Sequence, residues 1–247
     1  MRIAAISDIH GNLPALEAVL ADIAKRGADV TVNLGDILSG PLQPRATAER
    51  LMALDFPTIA GNHERQVLTH AVERMGDSDR FAYDEITELQ RAWLRSLPST
   101  LRLTPDVLLV HGTPSSDLVY WMESVDDRGQ RQASYEEVLE RAGDAQASLI
   151  LCGHTHVPRS VLLDDGRLIV NPGSVGLQAY SDVHPLPHKA ENGTPHARYV
   201  IIERIGQQWQ VEHIAVAYNW DEMSSLANAN GRPDWAHALA TGRMPRQ

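Results

Sequence analysis

Five short stretches of this chain carry residues that could do chemistry. They are Asp8-Ile9-His10, Gly35-Asp36, Gly61-Asn62-His63-Glu64, His111-Gly112 and Gly153-His154-Thr155-His156. Carboxylate oxygen, amide oxygen and imidazole nitrogen together suit first-row divalent metals. No thiolate belongs to the set, which argues against a structural zinc site. The ligands suffice for two metals if one carboxylate bridges. Two metals roughly 3.5–4 Å apart are a recurring device for phosphoryl hydrolysis: they lower the pKa of a water towards about 7 and hold substrate oxygens in line. Taken singly, the stretches say little, because a Gly-Asp pair is usually a turn. Gly153-His154-Thr155-His156 says more, since histidines two residues apart can reach one site from one turn. The set as a whole has no comparable structural explanation.

Each stretch follows an apolar run, so the elements that must position it can be read as well. Residues 2–7, 30–34, 57–60, 106–110 and 148–152 read as strands, and each ends at one of the five stretches. Ligand sites in sheet proteins gather at the carboxyl ends of strands. After the first strand, Asn12 can cap a helix with Pro14 in its first turn, and Leu13, Leu16, Val19, Leu20 and Ile23 recur at helical spacing until Gly27. Further helices are expected over 44–54, 64–75, 83–97, 134–142 and 234–240. Residues 161–163, 168–171, 199–203 and 210–216 read as a second sheet without helices between its strands. Residues 180–197, rich in Pro, His and Gly, read as one long loop. The expectation is an α/β protein: a single domain over 1–247, with two sheets and helices outside.

In order and spacing the five stretches resemble the calcineurin-like metallophosphoesterase superfamily, whose pattern runs D-x-H, G-D, G-N-H-[DE], H and G-H-x-H. The likeness spans residues 2 to about 174. It implies a four-layer α/β/β/α sandwich of two mixed sheets flanked by helices. It implies that Asp8, His10 and His156 hold one metal, that Asn62, His111 and His154 hold the other, and that Asp36 bridges them. A bridging hydroxide would then attack phosphorus. His63, outside the ligand set, would face the substrate beside Asn62 and assist the leaving oxygen, a role that an imidazolium next to a ligand can also fill on chemical grounds. The metals implied are two divalent transition ions, manganese foremost, with iron, nickel, zinc or cobalt also suited.

The likeness has one departure. In the protein-phosphatase and dinucleotide-hydrolase branches the second motif continues as G-D-x-x-D-R-G. Here it reads Gly35-Asp36-Ile37-Leu38-Ser39-Gly40. Ser39 replaces an acid that would orient His63, and Gly40 replaces an arginine that would clamp phosphate bidentately. This points to the small bacterial and archaeal phosphodiesterase-like branch, where Asn171-Pro172-Gly173-Ser174 also fits. Small phosphodiesters are therefore expected over monoesters. A phosphoprotein phosphatase or nuclease remains the alternative, as does a catalytically silent scaffold on the same fold, though such relatives have lost ligands and this chain has lost none.

Composition narrows the partners. Basic residues number 22 against 32 acidic, a net −10, with no basic stripe, so long nucleic acids are not expected. The one cysteine, Cys152, allows no internal disulfide. The first apolar run is too short for a signal-peptide core and is interrupted by Asp8. No stretch approaches membrane-spanning length. The expectation is a cytoplasmic enzyme for a small phosphate ester, without a membrane partner, in which a homo-oligomer is allowed. Arg45 and Arg65 read as surface residues. Trp93, Trp209 and Trp235 read as packing residues, and Cys152 as a buried inert thiol. Tyr120-Trp121-Met122 could wall the site, and His184, His188 and His196 belong to the long loop.

Overall fold

The run Ile3-Ala4-Ala5-Ile6 is apolar at every position, which a strand tolerates only when both of its faces are covered. The computed structural model, which describes residues 1–246, bears this out. Ile3 and Ala5 point into one core, and Ala4 and Ile6 into another. The elements run β1 (Arg2–Ile6), α1 (Leu13–Arg26), β2 (Val30–Asn33), α2 (Pro44–Leu54), α3 (Asn62–Thr69), α4 (Asp77–Glu85) and α5 (Glu88–Ser96). There follow β3 (Leu101–Thr104), β4 (Val107–Leu109), β5 (Glu123–Asp126), β6 (Gly129–Gln132), α6 (Tyr135–Ala142), β7 (Leu149–Leu151), β8 (Arg159–Leu162) and β9 (Leu168–Asn171). The chain closes with β10 (Ala179–Asp182), β11 (His188–Glu191), β12 (Ala197–Ile205), β13 (Gln208–Val216), α7 (Trp220–Ala229) and α8 (Pro233–Thr241).

Two mixed sheets carry the fold. One has the order β13-β12-β1-β2, the other β3-β4-β7-β9-β8. Their inner faces meet in a core to which Ile3, Ala5, Val32, Val200 and Ile202 come from one sheet, and Leu109, Leu149, Leu151 and Val170 from the other. The outer face of the first sheet, with Tyr199 and Ile201, packs on α1 and on the helices that follow β2. The outer face of the second, with Ile150 and Ile169, packs on Val138 and Ala142 of α6. The four layers expected from the sequence are present.

Several boundaries differ from the sequence reading. The helix expected over 64–75 stops at Thr69 and continues only as a 3₁₀ turn, Val72–Arg74. The helix expected over 83–97 is two helices, broken where Thr87 opens a new one: its hydroxyl accepts Gln90 N–H, and the Gln90 side chain accepts Thr87 N–H. The second sheet does contain a helix connection, α6 between β4 and β7. The late strands β12 and β13 join the first sheet, with β12 antiparallel to β1. The loop expected over 180–197 holds the hairpin β10–β11. Strand β3, hairpin β5–β6 and helix α7 had no expectation at all.

Candidate metal centre

Four of the five stretches follow β1, β2, β4 and β7, while Gly61-Asn62-His63-Glu64 opens α3, the strand expected over 57–60 being reduced to a single bridge between Thr58 and Asn33. Positive φ is rare for residues with a side chain. Among the described residues the non-glycine ones with positive φ are Asp8 (54°), His10 (51°), Asp36 (53°), Asp55 (50°), His154 (70°) and His156 (60°). Asp55 ends α2 in the left-handed helix-cap conformation. The other five all belong to the predicted ligand set. Such backbone costs of order 1–3 kcal/mol per residue and persists only where the surroundings impose it.

The surroundings are visible. Asp8 N–H donates to the Gly35 carbonyl at 3.0 Å, and His10 N–H to the Asp36 carbonyl at 3.1 Å, so the first two loops are stitched together. Glu64 fastens the third. Its carboxylate accepts N–H groups from Asp36, Ile37 and Gly61, each at 2.8 Å. Gly61 must be glycine, because a Cβ there would overlap Asp36 and stand 2.8 Å from Cε1 of His111. Asn171 braces the last loop by donating to the Gly153 carbonyl at 2.7 Å and to Thr155 Oγ1 at 3.1 Å. The Asn171-Pro172-Gly173-Ser174 turn therefore shapes the site wall.

These loops bring together two groups whose ligand atoms all lie within 4.8 Å of one another: Asp8, His10 and His156, and Asp36, His111 and His154. Asn62 Oδ1 stands 3.2 Å from His111 Nε2, beside the second group. Backbone carbonyls fix the imidazole tautomers. Nδ1–H of His10 donates to Ser39 at 2.7 Å, that of His111 to Leu34 at 2.7 Å, and that of His156 to Leu177 at 2.8 Å. Each ring then presents its Nε2 inward, the atom a metal would take. His154 is turned the other way: its Nε2–H donates to the Leu118 carbonyl at 3.1 Å, which leaves Nδ1 free.

The donor set fits metal cations. Nε2 of His10 and Nε2 of His156 face one another at 3.1 Å. With both Nδ1 atoms already donating, the facing nitrogens call for a shared proton or a metal cation between or beside them. Burial, and then the neighbouring His156, push His10 down to about 4; burial and His111 do the same to His154. Both are neutral and ready to coordinate near pH 7. Burial works against charge on Asp8 and Asp36 also, but nearby imidazoles outweigh it. Asp8 is held below the usual carboxylate value, and Asp36 well below it. His111 goes the other way: burial opposes its cation, yet Asp36 with an oxygen 3.1 Å away lifts it to about 9.

His63 stands beside both groups without joining either. Its N–H donates to Asp36 Oδ1 at 3.0 Å, and its Nε2 lies 4.0 Å from Asp36 Oδ2. Its Nδ1–H donates at 2.7 Å to Oδ1 of Asp79 in α4, and Ser39 Oγ donates to that same oxygen at 2.7 Å. Burial disfavours the imidazolium, but Asp36 and Asp79 prevail and push it up to about 10. Asp79 escaped the sequence reading. The replacement of an acid by Ser39 was the available sign that another carboxylate had to be sought.

Above the ligands opens a cavity of about 910 Å³. Tyr120 and Tyr180 form one wall. Tyr120 meets His154 edge-on at 5.0 Å, Tyr180 meets His156 at 4.8 Å, and Tyr180 donates its hydroxyl to Tyr120 at 2.7 Å. The Tyr120 hydroxyl lies 3.0 Å from Nε2 of His188, while His184 lies on the cavity lining. Trp121 and Met122 are instead buried in the core under α6, so only the tyrosine of that triplet walls the site. Trp235 forms the opposite wall and meets His10 edge-on at 5.8 Å, so it is more than a packing residue. His196 packs on Trp220. Arg65 is held by Asp117 at 2.7 Å, and Arg45 by the Glu85 carbonyl at 2.9 Å; neither lines the cavity. Cys152 is buried, which pushes its thiol well above its usual pKa. Among the described residues no helix is long and apolar enough to cross a membrane.

Known proteins share this fold. An uncharacterized protein of Methanocaldococcus jannaschii is 27% identical over 257 aligned residues, covering 94% of either chain. Phosphodiesterase YfcE of Escherichia coli is 42% identical, but over 77 residues, 27% of this chain and 42% of its own. A crystal structure of a metallophosphoesterase from Sphaerobacter thermophilus superposes with a TM-score of 0.77 at 27% identity, covering 98% of this chain and 100% of that one. A hypothetical protein of Pyrococcus horikoshii shares the fold, with a TM-score of 0.73 at 17% identity over 99% of both chains. The family model of the calcineurin-like phosphoesterase superfamily domain matches residues 1–186, and the chain belongs to that superfamily as a metal-dependent phosphoesterase.

Proposed function

We propose that this chain hydrolyses small phosphodiesters at a centre of two divalent metal ions. The observation that carries the reading is the pair of ligand groups, Asp8-His10-His156 and Asp36-His111-His154, meeting on one cavity floor. In this reading Asn62 completes the second group and Asp36 reaches both. When bound, the two ions lower the pKa of a water and neutralise phosphoryl oxygens. Asp36 and Asp8 supply the negative charge that holds them. Nε2 of His63 faces the cavity and delivers a proton to the departing ester oxygen, steadying the charge that develops there. Tyr120 and Tyr180 on one side and Trp235 on the other flank two organic arms.

The preference for diesters over monoesters has its own support. A monoester carries one more negative charge at neutral pH, and a site selective for it needs a free cation. At Gly40, where related branches carry arginine, a Cβ would stand 2.7 Å from Cη2 of Trp235. No larger residue fits, and an aromatic wall stands where a guanidinium would reach. The arginines lining the cavity are engaged already: Arg131 with Glu137 at 2.8 Å, Arg141 with Glu137 at 3.6 Å, and Arg232 with Asp234 at 2.7 Å. The reading takes the chain as one domain, since β12 lies beside β1 within the sheet and α8 walls the cavity.

The test pairs elemental analysis of the purified protein with hydrolysis of bis-p-nitrophenyl phosphate and p-nitrophenyl phosphate, with and without added Mn²⁺. About two metals per chain and metal-dependent turnover that favours the diester are expected. A preference for the monoester would overturn the substrate assignment. Bound metal with no turnover on either ester would favour a silent scaffold.

A further inference from the structure

His63 is useful to a leaving group only if its ring is held with Nε2 towards the cavity, and nothing in its own loop does that. The residue that touches its Nδ1 comes from elsewhere in the chain. Asp79 lies in the first turn of α4, 5% exposed, with Oδ1 accepting both His63 Nδ1–H and Ser39 Oγ–H at 2.7 Å. Among the described residues no arginine or lysine pairs with it; its ionic partner is His63. A buried carboxylate without a basic side chain beside it is costly unless it is paired and hydrogen-bonded. Ser39 joins this pair to the metal centre, because its carbonyl accepts Nδ1–H of His10 while its hydroxyl anchors Asp79.

We propose that Asp79 is the positioning residue for His63, and that Ser39 and Asp79 together do what a single acid at position 39 would do. The hydroxyl is too short to reach the imidazole from its own loop, so it holds in place a carboxylate supplied by α4. The proposal rests on the reading of His63 as proton donor to the leaving oxygen. That dependence makes it separable by experiment, since loss of proton donation matters most when the leaving group is poor.

Asp79→Asn, Asp79→Ala, the double variant Ser39→Asp/Asp79→Ala and His63→Ala would be assayed as metal-loaded enzymes. The substrates are bis-p-nitrophenyl phosphate, with a good leaving group, and diphenyl phosphate, with a poorer one. Both Asp79 variants should retain metal content and KM. Their kcat on diphenyl phosphate should fall about 10- to 100-fold, the usual cost of removing a partner that orients a working group. The fall on bis-p-nitrophenyl phosphate should be several-fold smaller. Moving the acid to position 39 should recover part of the loss on the poor substrate, which a merely structural role for Asp79 would not allow. Equal losses on both substrates, or none, would overturn the proposal, provided His63→Ala shows the leaving-group dependence. If His63→Ala lacks that dependence, the His63 reading itself fails and the proposal with it. Should Asp79→Ala fail to fold, the near-isosteric Asp79→Asn carries the comparison.

Discussion

The ligand loops and the cavity walls above them differ in where their side chains come from. Asp8 and His10 follow β1, Asp36 follows β2, His111 follows β4, and His154 and His156 follow β7. Each is fixed by a strand a few residues before it, and the loops are tied to one another through Glu64 and Asn171. The walls have no such regularity. Tyr120 comes from an irregular loop, Tyr180 from the hairpin β10–β11 and Trp235 from α8. The floor is thus rigid by construction, and the walls are assembled from whatever the chain passes over it. The difference teaches that chemistry and selectivity in this molecule are separable properties, carried by different kinds of element.

The comparison can be broken most sharply at the floor. Asp36→Ala or His154→Ala should lower kcat/KM by about three orders of magnitude or more, since each removes charge or a lone pair aimed at the reacting centre. Circular dichroism should show the fold retained. Turnover near that of the wild type in either variant would mean that the floor does not do the chemistry. Next in size is Gly61→Ala, which forces a methyl group against Asp36 and His111. It should destabilise the protein by about 1–3 kcal/mol in a denaturant titration and weaken metal retention. An unchanged midpoint would show the loops to be pliant rather than rigid.

The walls should respond differently. Trp235→Ala should leave metal content intact and raise KM for the diester by about 2- to 10-fold, the scale of one lost aromatic contact. A fall in metal content instead would join wall and floor into one unit. The smallest effect concerns the floor's own charge. In metal-free protein His10 and His154 are held at about 4 against an ordinary 6.5, so their burial costs stability as pH falls from 6.5 towards 4. His63 and His111 are held at about 10 and about 9, so the stability they add is complete below 6.5 and is lost as pH rises through those values. Thermal denaturation after chelation should therefore show a maximum near pH 6.5. A melting temperature rising steadily from pH 5 to 9 would contradict these shifts.

The same division governs how much could be read from the sequence. Asp8, Asp36, His111 and His154 stand beside short continuous apolar runs that report buried strands, so type and position could be read together. The layering was legible for the same reason: the apolar run of β1 requires cover on both faces. Asp79 was not legible, since an aspartate in the first turn of a helix is ordinarily explained by the helix dipole alone. Trp235 looked like packing because its contact is with Gly40, nearly two hundred positions earlier. The hairpin β10–β11 was hidden by its prolines and histidines, and the place of β12 in the first sheet by the lack of any local mark of which sheet a strand joins.

That place of β12 has a consequence for how the enzyme comes into being. β1 pairs with β2 on one side and with β12 on the other, Arg2 opposite Glu203 and Ala5 opposite Val200. Until β12 has left the ribosome, one edge of β1 stays open, and Asp8 and His10 hang from an unfinished ladder. Pairing over so long a span raises contact order, which slows folding. An open apolar edge in the meantime invites pairing with other chains. A nascent chain halted before β12 should accordingly retain little metal and aggregate readily, so that metal capture waits on the pairing of β12 with β1.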